Sequence, residues 1–401
     1  MNKNKVELLA PAGNLEKLKI ALLYGADACY LGGKNYSLRA NANNFSLNDI
    51  KEACLYAHNL NKKIYVTTNI VFHNEDLDGL IDYLKKLSEY KVDAIISSDP
   101  LVIDLIKENN INLQVHISTQ MSTLNYEQAL FWKKLGVTRV VLGREASKEE
   151  IKEIKNKTNL EIEMFIHGAM CSSYSGRCVL SNYFTNRDAN RGGCAQICRW
   201  EFDLTDKDKN IIESNTKFTL ATKDLSLITN LKEILDMNID SLKIEGRMRS
   251  NYYIATVVKT YREAIDDYYN NNLSDEKIKY YSKILNRVAN RDSTSQFFET
   301  FPGVDEQYYL GRQEISNQDF LGIVLSYDEN TKLVTLEQRN YFKVGDQVEF
   351  FGPNTKTFTY TIKEIYDEAN KTIEVARHPR QIVKFKVDKK LEKNDLMRIK
   401  I

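Results

Sequence analysis

Four cysteines that lie close together are the residues with the clearest capacity for chemistry. Cys171, Cys178, Cys194 and Cys198 form this group in a chain of 401 residues. Four thiolates can complete the coordination of a tetrahedral zinc ion or of an iron–sulfur cluster. The paired C-x2-C knuckles of zinc ribbons are absent, and the wider spacing suits a cluster, whose ligated irons are separate atoms. The spacing therefore favours an iron–sulfur cluster, with structural zinc and unrelated buried thiols as alternatives.

The segment around these cysteines is rich in arginine and aromatic residues. It contains no lysine, and Asp188 is its one acidic residue. Arginine binds phosphates and carboxylates in a bidentate manner and stacks on bases, so this composition suits a nucleic-acid surface. The alternative is that the aromatic rings pack the segment while the arginines pair with nearby acids. The residues concerned are Arg177, Arg187, Arg191, Arg199, Tyr174, Tyr183, Phe184 and Trp200.

Further polar residues follow predicted strands. His167 directly precedes the cysteine segment, where it is predicted to transfer protons, to hydrogen-bond a thiolate or to serve only in packing. Glu245, Arg247 and Arg249 follow the last predicted strand in KIEGRMRS, and Ser250 can cap the next helix. Arginines beside a helix N-terminus predict an anion site. Glu245 is the second candidate for proton transfer.

These residues need a scaffold that brings strand ends together, and the first 250 residues predict one. Short β-branched runs alternate with amphipathic helical patterns, which indicates parallel βαβ units. Eight units predict a (β/α)8 barrel of the TIM type, whose C-terminal strand ends build the active site. A Rossmann-type sheet is the alternative, although no G-x-G-x-x-G follows any strand. The predicted strands are Val6–Ala10, Ala28–Gly32, Lys63–Thr68, Ala94–Ser98, Leu113–Ser118, Arg139–Gly143, Glu161–Ile166 and Ser241–Glu245.

The regular pattern is interrupted after the seventh predicted strand. Residues 168–200 form a Cys-rich insertion, and long loops inside compact domains are usually functional. Helical spacing returns at Asn251. Short alternating strands with turn signals then predict a small all-β barrel. The predicted domains are the barrel at 1–300, a linker at 301–318 and the β-domain at 319–401. Cys29 and Cys54 fall on a predicted strand and helix, where a core position is expected.

Composition limits the class of protein. Basic and acidic residues nearly cancel, at 56 against 55, so contact with nucleic acid must come from local patches. No apolar run approaches the ~18 residues of a membrane span, and no signal peptide is recognisable. The sequence therefore predicts a cytoplasmic protein with no membrane segment and with reduced thiols. No H-E-x-x-H, G-x-S-x-G or P-loop lysine motif indicates standard hydrolase machinery.

The cysteine segment also carries a family resemblance. EMFIHGAMCSSYSGRCVLS resembles the signature of peptidase family U32, long labelled collagenase-like peptidases. The blocks LLAPAGNLEKLKIALLYGADACYLGG, HISTQMSTLNYEQALFWKKLGVTRVVLGRE and KIEGRMRSNYYIATVVKTYREAID agree with it. The resemblance covers nearly the whole chain and is strongest to bacterial members that serve in 5-hydroxylation of the wobble uridine of tRNA.

The resemblance implies a 4Fe-4S cluster on the four cysteines, tRNA as substrate and prephenate as the source of the hydroxyl group. We expect an unstacked anticodon-loop base to enter the barrel mouth, because chemistry on a base requires it to leave the stack. The electron donor and any partner subunit stay undefined. The alternatives are a U32 peptidase and an RNA-binding or assembly factor with a structural cluster. The residues expected to hold RNA or a small carboxylate co-substrate are Arg144, Arg177, Arg187, Arg191, Arg199, Arg247 and Arg249.

Overall fold

A computed structural model describes residues 5–38, 44–212, 217–289, 291–308 and 319–400, so residues 309–318 of the predicted linker lie outside it. The barrel strands are β1 Glu7–Ala12, β2 Ala28–Gly32, β3 Lys63–Thr68, β4 Ala94–Ser97, β5 Gln114–Ile117, β6 Arg139–Val141, β7 Glu161–Gly168 and β8 Ser241–Ile244. The helices are α1 Leu15–Leu23, α2 Leu47–Asn59, α3 Leu80–Glu89, α4 Pro100–Glu108, α5 Tyr126–Lys134, α6 Lys148–Thr158, α7 Leu180–Thr185, α8 Leu231–Asp236, α9 Asn251–Tyr269 and α10 Asp275–Val288. None of the described helices combines the length and apolarity that crossing a membrane requires.

Eight parallel strands close into a barrel, which confirms the (β/α)8 prediction against the Rossmann-type alternative. Glu7 of β1 pairs with Ser241 of β8, and Ser241 also pairs with Glu163 of β7, so the ring is complete. Helices α1 to α6 follow β1 to β6, and α9 follows β8. All C-terminal strand ends therefore meet at one mouth. Cys29 of β2 and Cys54 of α2 are buried in the core, as predicted.

Helix α9 follows its local sequence signals closely. The Ser250 side chain accepts a hydrogen bond from the Tyr253 amide at 3.2 Å, which is the predicted N-cap. Apolar residues of α9 recur at helical spacing and form one face of the helix. This face lies towards the core, and α9 packs near α1 and α10. Its buried members are Ile254, Val257, Val258, Tyr261 and Ile265.

The C-terminal residues form an antiparallel sheet, which confirms the all-β prediction for this part. Its main strands are β9 Phe320–Asp328, β10 Leu333–Gln338, β11 Gln347–Phe351, β12 Phe358–Thr361, β13 Ile382–Lys386 and β14 Leu396–Ile399, and their order is β12–β11–β14–β9–β10–β13. Two short strands, Ile365–Tyr366 and Thr372–Ile373, extend it beyond β13. Within the described ranges the two edges do not pair, so the sheet is an open half-barrel around its own core. Shorter paired segments are Ala221–Thr222 with Gln307–Tyr308, Asp224–Ser226 with Ser293–Thr294, and Phe342–Lys343 with Val375–Ala376.

The half-barrel is fixed to the helix layer of the barrel. Tyr252 of α9 stacks on Phe320 with ring centroids 4.7 Å apart, and its hydroxyl donates to Asp319 at 2.5 Å. Phe351 and Leu396 of the half-barrel belong to the hydrophobic core of the barrel. The half-barrel therefore has its own core and also adds side chains to the core of the barrel.

A β-bulge at the end of β7 changes the direction of His167. Lys243 of β8 lies opposite Phe165, but the next residue, Ile244, lies opposite His167, so Ile166 is the extra residue. Because side chains alternate between the two faces, the bulge turns His167 outward, to α9. Its ring centroid lies 5.6 Å from that of Tyr261, and the residue is 5% exposed. This placement supports the packing alternative for His167.

We expect the stability gained by burying His167 as a neutral ring to be lost as the pH falls. Burial lowers the pKa of His167 from its usual 6.5 to about 3, with Arg249 contributing. Below the usual value the unfolded chain therefore binds a proton that the folded protein does not. This difference in proton binding lowers the free energy of unfolding by about 1.4 kcal/mol as the pH falls from about 7.5 to about 5.5. Chemical denaturation should show a His167→Gln variant losing less stability than wild type over this interval, by about that amount.

The control is His378→Gln, which should show the same pH dependence of stability as wild type, because that ring is exposed in the folded protein. An identical pH dependence for wild type and His167→Gln would contradict burial of a neutral ring.

Candidate active site

A cavity of about 190 Å³ opens at the C-terminal ends of the barrel strands. Tyr30, Ile96, Phe165 and Lys243 line it from the strands, and the insertion after β7 lines it from the other side. All four cysteines predicted as ligands, each partly exposed, also line it: Cys171, Cys178, Cys194 and Cys198. The insertion thus brings four thiols that are separated in sequence to one cavity at the barrel mouth.

Hydrogen bonds within the insertion fix the backbone around these thiols. The Asn190 side chain accepts from the Cys178 amide at 3.1 Å and donates to the Cys178 carbonyl at 3.0 Å. Ser181 accepts from the Ala195 amide, next to Cys194, at 3.0 Å. Gly193 is required nearby, because a Cβ there would lie 2.8 Å from the Asp188 carbonyl oxygen. These hydrogen bonds hold the backbone of the insertion next to Cys178 and Cys194.

Backbone amides point at two of the sulfur atoms. The Ser173 amide donates to the Cys171 sulfur and the Leu180 amide to the Cys178 sulfur, both at 3.4 Å. Burial raises the pKa of the Cys171 thiol, whereas the Ser173 amide lowers it. Within the described part of the chain, no three Cys, His, Asp or Glu side chains surround a single metal position. The four thiols are therefore spread around the cavity, and two of them accept hydrogen bonds from backbone amides.

Two of the predicted anion-binding arginines line the cavity. Arg144 donates to the Ala169 carbonyl at 3.1 Å, and its guanidinium carbon lies 3.9 Å from the Phe165 ring centroid. Arg247 is buried and donates to the Ser37 hydroxyl at 3.0 Å and to the Thr67 hydroxyl at 3.3 Å. Glu245, the second predicted proton carrier, lines the same cavity.

Arg199 and Arg249 line a second cavity, of about 290 Å³, which Cys171, Cys194 and Cys198 also line. Arg199 is buried, which lowers its pKa, and it donates to the carbonyls of Thr222 and Met170 at 2.8 Å. Arg199 therefore ties the insertion to the segment that follows it. Arg249 lies 3.3 Å from Asp224. Asp224 also pairs with Arg291 at 2.9 Å, a partner that the sequence analysis missed.

The other arginines of the insertion divide into one anchored and two exposed side chains. Arg191 pairs with Asp76, and with Glu75 at 2.9 Å, so it joins the insertion to the loop after β3. These ion pairs agree with the alternative given for the insertion arginines, in which they pair with nearby acidic residues. Arg177 is exposed and contacts the Met121 sulfur at 3.4 Å. Arg187 is exposed, and its side chain has no hydrogen-bond or ion-pair partner among the described residues.

Three aromatic residues of the insertion form an exposed group. Two of them, Tyr183 and Phe184, lie close to Arg187 in sequence. Tyr183 is 84% exposed, and Phe184 and Trp200 are about half exposed. The Phe184 ring meets those of Tyr183 and Trp200 at centroid distances of 5.1 and 6.4 Å. These rings pack on one another, as the packing alternative states, while keeping faces and edges open to solvent.

Sequence reasoning missed two residues of the cavity. Lys243 is buried, and its ammonium lies 2.7 Å from a carboxylate oxygen of Glu163, which also pairs with Arg139 at 3.2 Å. A lysine inside the apolar run of a barrel strand was the available signal. Gln120 is 4% exposed, and its side-chain oxygen has no hydrogen-bond partner among the described residues. The available signal for Gln120 was the polar run Ser118–Thr119–Gln120, which follows β5 at the barrel mouth.

Comparison with known proteins gives this arrangement a family context. The model of peptidase family U32 matches residues 13–308, and that of the U32 C-terminal domain matches residues 316–398. The chain is 52% identical to tRNA hydroxylation protein P1 of Bacillus subtilis over 98% of this chain and 94% of that protein. It is 34% identical to tRNA hydroxylation protein P of Escherichia coli over 97% and 95%. It is also 31% identical to a Porphyromonas gingivalis protein named collagenase over 95% of each chain. The chain therefore belongs to peptidase family U32.

Proposed function

We propose that this protein hydroxylates the wobble uridine of tRNA at C5 in the cytoplasm, with a 4Fe-4S cluster and with prephenate as the hydroxyl donor. The observation that carries the proposal is 52% identity, over 98% of the chain, to a protein named for tRNA hydroxylation. The cavity lined by four thiols at the barrel mouth offers a place for such chemistry.

The donor set fits an iron–sulfur cluster. Four thiols line one cavity, and the wide spacing of these cysteines in sequence suits the separate irons of a cluster better than one zinc ion. Amide hydrogen bonds to Cys171 and Cys178 would stabilise bound thiolates. Such a cluster, when bound, supplies electron transfer at the cavity.

We expect the protein purified without oxygen to contain about four irons and four sulfides per chain. Cys171→Ser or Cys194→Ser should lower both contents and remove the visible absorption, because each variant lacks one thiolate ligand. Cys54→Ser is the matched control, since that thiol is buried in α2 away from the cavity. One tightly held zinc ion without sulfide would contradict the cluster.

The exposed residues of the insertion suit an RNA loop. Arg177 and Arg187 are free to contact phosphates, while Tyr183 and Trp200 offer ring surface on which bases can stack. Arg191 and Arg199 are already paired within the protein, so we assign them to holding the insertion in place. An anticodon loop is single-stranded, which lowers the free energy needed to unstack its base.

Removing these contacts should weaken tRNA binding in a salt-dependent way. Arg177→Ala and Arg187→Ala should each reduce the slope of log K against log salt by about 1, because each removes one phosphate contact. Tyr183→Ala should weaken the binding free energy for tRNA by about 1–3 kcal/mol, with little change in the slope of log K against log salt. Filter binding at several salt concentrations measures both quantities.

Lys85→Ala is the control for loss of an exposed charge, since Lys85 lies on the outer face of α3. Unchanged affinity and slope in all three insertion variants would place the RNA elsewhere on the protein.

The chain itself supplies binding and proton transfer. The reaction exchanges hydrogen on C5 of uridine for the hydroxyl of a donor, so U–H and R–OH become U–OH and R–H. The base thereby loses the two electrons that the donor gains. Glu245, which lines the cavity, is the residue we assign to take the C5 proton and return it to the donor.

Expression in an E. coli strain that lacks its own tRNA hydroxylation protein P should restore 5-hydroxyuridine in tRNA, as measured by nucleoside mass spectrometry. Glu245→Gln should lower the restored amount, and the rate by roughly 100-fold or more, because an amide cannot accept the proton. Cys171→Ser should restore none, while Lys85→Ala should match wild type. Full restoration by Cys171→Ser would favour a binding or assembly factor, and gelatin cleavage without any effect on tRNA would favour a peptidase.

A further inference from the structure

A buried arginine that follows the last cysteine of the insertion has no acidic partner. Arg199 is 8% exposed and donates to the carbonyls of Thr222 and Met170, both at 2.8 Å. Carbonyls satisfy the N–H groups of a guanidinium, but they do not balance its charge. No carboxylate lies within ion-pair distance of Arg199 in the part of the chain that the structure describes. Because an unbalanced buried charge is unfavourable, Arg199 requires an anion nearby.

The carboxylate that attracts Arg199 is already matched by other arginines. Asp224 interacts with Arg199 electrostatically, but its ion pairs are with Arg291 at 2.9 Å and with Arg249 at 3.3 Å. Burial lowers the pKa of Arg199, and repulsion by Arg291 lowers it further. One carboxylate therefore faces three guanidinium groups and cannot balance all of them.

Thiolates are the groups that supply negative charge at this position. Cys171, Cys194 and Cys198 line the cavity of about 290 Å³ together with Arg199, and the thiolate charges of Cys198 and Cys171 attract the guanidinium. Arg199 follows Cys198 in the chain, and Met170, which accepts its hydrogen bond, precedes Cys171. Arg199 therefore joins the backbone next to the first cysteine to the backbone next to the last.

The charges around this cavity balance only when a cluster is counted. Four arginines line it, whereas two carboxylates face them, Glu245 in the wall and Asp224 beside it. An oxidised 4Fe-4S cluster with four thiolate ligands carries about two negative charges, which is the number required. The other cations at the mouth, Lys243 and Arg247, are matched in number by Glu163 and Glu145. The four arginines are Arg144, Arg199, Arg249 and Arg291.

We propose that Arg199 is the buried counter-charge of the cluster and raises its reduction potential. The site gains one negative charge when it accepts one electron from an external one-electron reductant, and a fixed cation stabilises that reduced form. Arg144 is the other cation that acts on Cys171, but it is partly exposed, so water screens its charge more strongly. This inference rests on the proposed function, which supplies the cluster, and it gives Arg199 a role beyond holding the insertion.

Redox titration of the full-length, cluster-loaded protein with dithionite tests this role, with the reduced cluster measured by electron paramagnetic resonance. Arg199→Gln keeps a hydrogen-bond donor but removes the charge. At a fixed potential the ratio of reduced to oxidised cluster should therefore fall roughly tenfold, which is about 59 mV for a one-electron couple. Arg199→Lys keeps the charge and should shift the ratio less.

Arg191→Gln is the control for loosening the insertion. Arg191 anchors the insertion through Glu75 and Asp76 and is not among the described residues that line either cavity. Its ratio of reduced to oxidised cluster should match that of wild type. Asp224→Asn is a second test with the opposite sign, because it removes a carboxylate that faces Arg199, and it should raise the ratio.

A fall in the ratio for Arg199→Gln that Arg199→Lys and Arg191→Gln do not share supports the counter-charge. An unchanged ratio in Arg199→Gln with an intact cluster overturns it, and so do equal shifts in Arg199→Gln and Arg199→Lys. If Arg199→Gln loses the cluster or does not fold, Asp224→Asn decides, since a raised ratio supports the counter-charge and an unchanged or lowered ratio overturns it.

The failure of this inference and that of the proposed function are distinguishable. Wild-type protein without iron and sulfide rejects both. A cluster whose potential does not respond to these charges rejects the inference alone. A charge-dependent potential in a protein that restores no 5-hydroxyuridine supports the inference and rejects the proposed function.

Discussion

The pairing of buried charges inside the barrel is the constraint on which the rest of the structure depends. Glu163 has no exposed surface, and it is matched by Arg139 at 3.2 Å and Lys243 at 2.7 Å. Arg139 also reaches Glu7 at 2.5 Å. These residues come from β7, β6, β8 and β1, the neighbouring strands around the point where the barrel closes. Since an unpaired buried charge costs about 3–5 kcal/mol, the pairing ties closure of the barrel to one register of its strands.

The same pairing fixes the chemistry available at the mouth. It holds Lys243 in the wall of the cavity, where both Lys243 and Arg144 lie over the Phe165 ring. The insertion after β7 covers the cavity with four thiols and is held by its own hydrogen bonds and by Arg191 and Arg199. The arginines therefore have different roles, although the sequence does not distinguish them. Some hold the insertion in place, some line the cavity, and Arg177 and Arg187 face solvent.

Features of the fold set by local physics were predictable. The β-branched runs gave all eight barrel strands, and Ser250 caps α9 as its side chain suggests. Features set by distant contacts were not. The bulge that turns His167 outward depends on the register between β7 and β8, which no local pattern encodes. The pairing of Arg191 with Asp76 joins segments far apart in sequence. Gln120 lies in a polar run that follows β5, but the missing partner of its side-chain oxygen depends on its neighbours in space.

The proposed hydroxylation of a tRNA base in the barrel cavity is tested most directly with the cluster-loaded protein. This protein is incubated without oxygen with unmodified tRNA and with prephenate that carries ¹⁸O in its hydroxyl group. We predict 5-hydroxyuridine at the wobble position that contains the heavy isotope. Absence of the hydroxylated nucleoside despite an intact cluster, or its appearance without the label, would contradict this account.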